Sequence, residues 1–182
     1  MGTTTARRTA ALDLLLADRG AGEVDHPGGD LLHHLQRTGD LLRGWEAPTA
    51  TVLAGRGHAA YGTAGFPPAL LRLDERDVLR AAIGEEAEAL VHRYCSCDRA
   101  ATYPTLATDS PTFVDRFTGE VVDLDEDGWA AFARISIANE LDIVRHAGPE
   151  PEALRWIATL FERLTPFALD EAELALGEVL WR

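Results

Sequence analysis

The sequence predicts an all-α domain of seven to eight helices with one small β-hairpin. Three observations carry this. Apolar residues recur at three- and four-residue spacing through most of the chain. Gly and Pro clusters cut that pattern into segments of helical length, about 8–20 residues each. Only one stretch, around residues 113–122, places β-branched and aromatic residues on both sides of a tight turn.

The first helix is expected over Thr5 to Asp18, ended by Gly20-Ala21-Gly22. Asp25-His26-Pro27-Gly28-Gly29 is a loop that starts the second helix, which carries Leu31, Leu32, Leu35, Leu41, Leu42 and Trp45 along one side. The third helix opens near Pro48, a favoured first-turn residue, and is expected to run through His58 to Tyr61 before Gly62 to Pro68 breaks it. A short helix from Asp74 to Ala82 follows, then one from Glu85 to about Arg99. Thr102 to Ser110 is polar and proline-containing, hence loop. Phe113 to Val122 predicts two short strands about a Thr-Gly turn. A long helix spans Asp127 to His146 up to Gly148-Pro149, and two more cover Glu152 to Leu164 and Asp170 to Trp181. The whole chain, 1–182, is expected to be one domain, with an N-terminal helix at 5–18, a core over about 27–146 and C-terminal helices over 152–181.

Composition narrows the function. The net charge of −13 argues against nucleic-acid binding, because an acidic surface repels phosphate backbones. All 17 basic residues are Arg, so neither a Schiff-base lysine nor a phosphate loop built on lysine exists in this chain. Two cysteines, Cys95 and Cys97, are too few for a disulfide framework. No run of about 18 apolar residues is present, and no apolar leader follows basic residues at the start. The expected protein is cytoplasmic, has no membrane or nucleic-acid partner, and acts on a small molecule; homo-oligomerisation is left open.

The informative residues are polar ones that face inward. At about 100° per residue, His34 lies among Leu31, Leu35, Thr38 and Leu41, whereas His33 lies with Asp30, Arg37 and Asp40 and faces water. His58 follows 24 positions later among small residues that let another helix or a ligand approach. His26 precedes His34 by about two helical turns, so it reaches the same cavity only if its loop folds back. On the Asp127–His146 helix, Glu140 falls near the middle of the apolar arc, Asn139 on its flank, and Asp142 and His146 at its edge. On the helix that starts at Glu85, Asp98 joins the inner face with Leu90, Val91, Tyr94 and Cys95. Tyr61 is a cavity wall. A carboxylate at a core position costs energy unless it is paired or bound to metal, so these groups call for one shared explanation.

His34, then His58, then Ala138-Asn139-Glu140-Leu141 resembles the order of ligands in the HD-domain superfamily, in which a His, a His-Asp pair and a distant Asp bind a divalent metal. The segment from Ile83 to Val91 is similar to a helix of the guanosine polyphosphate hydrolases of that superfamily, and His58-Ala59-Ala60-Tyr61-Gly62-Thr63 to a segment of bacterial proteins of unknown function. The likeness runs from about Pro27 to Ile143. It implies an HD-like helical bundle and a divalent ion (iron, manganese or zinc) held by His34 and His58 with help from His26 and Asn139. Glu140 and Asp98 are the catalytic candidates, and Tyr61 and Asp142 the substrate-binding ones. The implied chemistry is hydrolysis of a small metabolite. Iron oxygenase chemistry and non-catalytic ligand binding are the alternatives. The chain departs from the HD pattern at Ala59, which stands where the paired Asp is expected, at Asn139, which replaces the distant Asp, and at Gly62-Thr63, which replaces a catalytic acidic pair.

Overall fold

A computed structural model describes residues 2–180. These form nine α-helices and two two-stranded antiparallel hairpins. The helices are α1 (Gly2–Asp18), α2 (Leu31–Gly44), α3 (Thr49–Arg56), α4 (Arg76–Ile83), α5 (Glu85–Ser96), α6 (Arg99–Thr102), α7 (Glu126–Ala147), α8 (Pro151–Leu164) and α9 (Leu169–Leu180). The hairpins pair β1 (Asp25–His26) with β2 (Gly29–Asp30) and β3 (Phe113–Val114) with β4 (Val121–Val122). The all-α expectation holds at this level. The expected end of the last helix at Trp181 lies outside the described residues. Among those residues, no helix is long and apolar enough to cross a membrane.

The α2–α3 hairpin is the centre of the molecule. α7 lies across both of its helices, α5 packs on α3 and α7, α1 covers α4, and α8 and α9 pair with each other against α7. One apolar cluster, from Leu12 on α1 to Val179 on α9, joins them. α2 and α3 approach closely because glycines face each other's neighbours. A Cβ on Gly55 would lie 2.1 Å from Leu42 Cδ1, and one on Gly39 would lie 2.8 Å from Arg56 Cβ. Arg56 then straps this crossing to α1, with two hydrogen bonds to Asp13 and others to Asp40 and the Gln36 carbonyl.

Three departures from the sequence expectation have a clear local reason. α3 stops at Arg56, not Tyr61, because Gly57 closes it and residues 57–61 continue as turns. α5 stops at Ser96, not Arg99, because the next residues join an extended contact with the second hairpin. Cys97 bridges Asp115, Asp98 N–H donates to the Val114 carbonyl (2.8 Å), and Arg116 N–H donates to the Ser96 carbonyl (2.6 Å). A separate short helix, α6, then runs from Arg99 up to the start of the stretch expected to be loop, and is the helix beyond the expected eight. The third difference is the β1–β2 hairpin, in a segment expected to be an irregular loop. Its two-residue turn at Pro27-Gly28 has Gly28 at φ +83°, and a Cβ there would come within 2.8 Å of His146 Cβ, so glycine lets the hairpin lie against α7.

Away from the histidines, Glu88 of α5 is a buried carboxylate fully matched by donors. Arg76 holds it at two points (2.7 and 2.9 Å) and the Tyr61 hydroxyl donates to it at 3.0 Å. Burial alone would raise its pKa, but these donors hold it below the usual carboxylate value. A depressed folded value means stability that is full above the unfolded pKa of about 4.3 and lost as pH falls through the folded value. Glu88→Gln is expected to cost about 2–4 kcal/mol at pH 7 in urea denaturation, since it leaves Arg76 without its partner. The difference from the parent protein should shrink below about pH 4; a gap constant with pH would contradict this role.

Candidate metal and ligand site

α2, the turn after α3 and the middle of α7 bring His34, His58 and Asn139 together in the interior. The ring centroids of His34 and His58 are 5.1 Å apart and nearly perpendicular, with Nε2 to Nε2 at 3.3 Å. Asn139 Oδ1 lies 3.0 Å from His34 Nε2. All three residues are buried.

The other ring nitrogens fix the protons. His58 Nδ1 sits 2.7 Å from the Gly55 carbonyl, one of the last α3 carbonyls without a helical partner. A carbonyl only accepts, so Nδ1 carries the proton and Nε2 is a bare lone pair whenever His58 is neutral. Burial drives His58 well below the ordinary imidazole range, and His34 beside it acts the same way, so the neutral form holds at neutral pH. His34 Nδ1 likewise donates to Asp142 Oδ2 at 2.7 Å. Asn139 Nδ2 donates to Glu140 Oε1 at 3.0 Å, which turns its oxygen toward His34. Three acceptor atoms therefore meet, with at most one proton, on His34 Nε2, to share among them. Such a point calls for either that proton or a cation.

Asp142 holds this arrangement from behind. Arg37 grips it twice (2.7 and 2.9 Å), and His146 Nδ1 lies 3.1 Å from its other oxygen. Burial would raise the pKa of Asp142, but the hydrogen bonds from His34 and Arg37 lower it to about 2. It stays a carboxylate and fixes the His34 tautomer, the arrangement expected behind a ligating imidazole.

His26 reaches the cavity because its segment forms the hairpin that folds back. Its ring stacks on His34 with centroids 3.9 Å apart. Burial, with His34 nearby, lowers its pKa to about 4. Its Nδ1 lies 3.1 Å from the Pro27 carbonyl. A cavity of about 200 Å³ opens in front of the histidines, walled by Ala59, Phe66, Ile143 and Trp156 and reached by Arg99 and Glu140. Burial raises the Glu140 pKa, against the opposing pull of Arg99 and of the Asn139 hydrogen bond.

Three expected site residues lie elsewhere. Asp98 follows the early end of α5, so the helical projection does not apply to it; its carboxylate caps α6 by accepting from Ala101 N–H at 3.1 Å. Tyr61 points to Glu88, not into the cavity. Asp142 sits behind His34 and does not line the cavity. Arg99 was not distinguishable in sequence from Arg56 or Arg93 as a cavity residue; its place follows from the turn that ends α5 and starts α6. Arg37 shares the water face of α2 with His33 in sequence, and only the α2–α7 crossing brings it to Asp142.

The donor set fits a divalent ion in one respect and is sparse in another. Two nitrogens each about 2.05 Å from a tetrahedral zinc lie about 3.3 Å apart, and the two imidazoles already stand at that separation. Among the described residues, however, no cluster of three or more His, Cys, Asp or Glu side chains is close enough to hold a metal ion. The third donor is an amide oxygen.

Residues 15–99 match a family described as a domain of unknown function, DUF6817. This stretch is less than half of the chain; it contains His26, His34 and His58 and ends at Arg99, before Asn139 and Glu140. No curated protein matches the chain. No solved structure matches it.

Neither cysteine belongs to the site. Cys95 Sγ donates to the His58 carbonyl at 3.1 Å, and Cys97 is buried at the hairpin contact. Burial pushes both thiols up to about 12. Ellman's reagent at pH 8 should therefore label neither cysteine in the native protein and both in denaturant; rapid native labelling of either would contradict the packing.

Proposed function

We propose that the chain is a divergent HD-like metalloprotein in which His34 and His58 hold one divalent ion and a small metabolite is hydrolysed in the cavity before them. The observation that supports this best is the convergence of two imidazole Nε2 atoms and an amide oxygen with at most one proton to share. A bound ion would act as a Lewis acid and lower the pKa of a water. The chain's own groups supply the rest. Gly55 and Asp142 lock the two imidazoles in the tautomer that presents Nε2 inward. Asn139 adds an oxygen donor where the HD pattern has an aspartate. Glu140, held by Asn139, is the carboxylate that reaches the cavity and is placed to accept a proton.

A variant of this reading is iron oxygenase chemistry within the same HD-like frame, which would need His26, stacked face-to-face on His34, to turn its ring toward the ion. The competing reading is a ligand-binding domain without metal, in which one proton bridges His34 and its neighbours. Ala59, where the resemblance expects an aspartate, supports that reading.

Elemental analysis of the purified full chain separates them. About one divalent ion per chain is expected, absent from the His34→Ala/His58→Ala double variant. Failure of the parent protein to take up zinc, manganese or iron would remove the metalloprotein reading. Oxygen-dependent spectral change of an iron-loaded sample would select the oxygenase variant.

A further inference from the structure

We propose that Arg99 anchors the anionic group of a fragment-sized, largely apolar ligand, a carboxylate or a phosphate monoester, in the cavity in front of the histidines. This deepens the site reading above, and rests on it only for the identity of the cavity.

Arg99 is used less than the three arginines that strap the helices around the site. Arg37 makes two hydrogen bonds to one carboxylate, Arg56 four to three residues, and Arg76 two to Glu88. Arg99, with its side chain 20% exposed, makes one, from Nη2 to the neutral hydroxyl of Tyr94 at 3.2 Å. Glu140 Oε1 forms an ion pair with its Nη1 at 3.6 Å, beyond hydrogen-bond reach, and already accepts from Asn139, so the charge is balanced while most of the N–H donors stay unused. A guanidinium has five N–H donors, and burying it with so few partners is costly unless something else completes the set.

The guanidinium is nevertheless held firmly. It stands 5.8 Å from the ring centroids of both Tyr94 and Tyr103, and α6 begins at Arg99 itself. A rigid planar fork with unused donors facing a cavity is preorganised for bidentate capture of a carboxylate or phosphate. The cavity defines the rest of the ligand. Ala59, Phe66, Ile143 and Trp156 give it apolar walls. At about 200 Å³ it falls below the roughly 300–1,000 Å³ of pockets for drug-sized molecules, which suits a single small ring or short chain.

The test is calorimetric titration of the full chain with benzoate, phenyl phosphate and benzamide, with and without added zinc. At least one anion should bind about tenfold or more tightly than the isosteric neutral amide, and the stronger of the two identifies the anionic group. Arg99→Gln should weaken that binding about 10- to 100-fold, and Arg99→Lys, which keeps the charge but not the fork, by less. Trp156→Ala, at the half-exposed rim, should weaken both anions without loss of the folded state. If Arg99→Gln does not fold, the anion-to-amide ratio in the parent protein decides. Equal binding of benzamide, no binding of any probe up to about 10 mM, or anion binding unchanged in Arg99→Gln would overturn the proposal. Arg99-dependent binding in a protein that takes up no metal leaves this inference standing and defeats the metal reading; metal uptake without anion binding does the reverse.

Discussion

The arrangement depends on where two protons sit. Because the Gly55 carbonyl and the Asp142 carboxylate each take an Nδ1–H, His58 and His34 turn their Nε2 atoms toward each other, with Asn139 Oδ1 completing the trio. A buried group of acceptors with at most one proton between them carries an electrostatic cost that a well-packed apolar core would avoid. Much of the surrounding structure maintains it. Facing glycines draw α2 and α3 together, α7 crosses both, and Arg37 keeps Asp142 charged.

The same logic divides the carboxylates by role. Asp142 and Glu88 are gripped by arginines, stay ionised and stiffen the frame. Glu140 touches one amide and faces one arginine at longer range, so burial dominates and its pKa rises. Environment, not residue type, sets these groups apart. Glu140 and Arg99, both left with spare capacity, reach the cavity beside His26 and His58.

Helical periodicity made the inward faces of His34, Asn139 and Glu140 legible, because each lies well inside a long regular helix where a projection is reliable. It misplaced Asp98 for the converse reason: a tertiary contact with the β3–β4 hairpin ends α5 early, and no local signal in Ser96-Cys97-Asp98 announces it. His58 reached its expected place by a different route, from a turn after α3 and not from a helical face. The return of His26 depended on a hairpin whose Pro-Gly-Gly turn was visible but whose docking on α7 was not. Arg37 and Arg99 were hidden because their roles exist only across elements far apart in the chain. The family match covers the histidine half of the site and none of α7, so Asn139 and Glu140 rest on the geometry alone.

The site is defined by protons and lone pairs, and nitrogen-15 NMR of the histidine rings reads both. Long-range proton–nitrogen spectra of the full chain should show His34 and His58 protonated at Nδ1, with a bare Nε2 on His58 before metal is added. One equivalent of zinc should then shift both Nε2 resonances together while both Nδ1 protons remain. A proton on His58 Nε2, or zinc that moves neither nitrogen, would contradict the account.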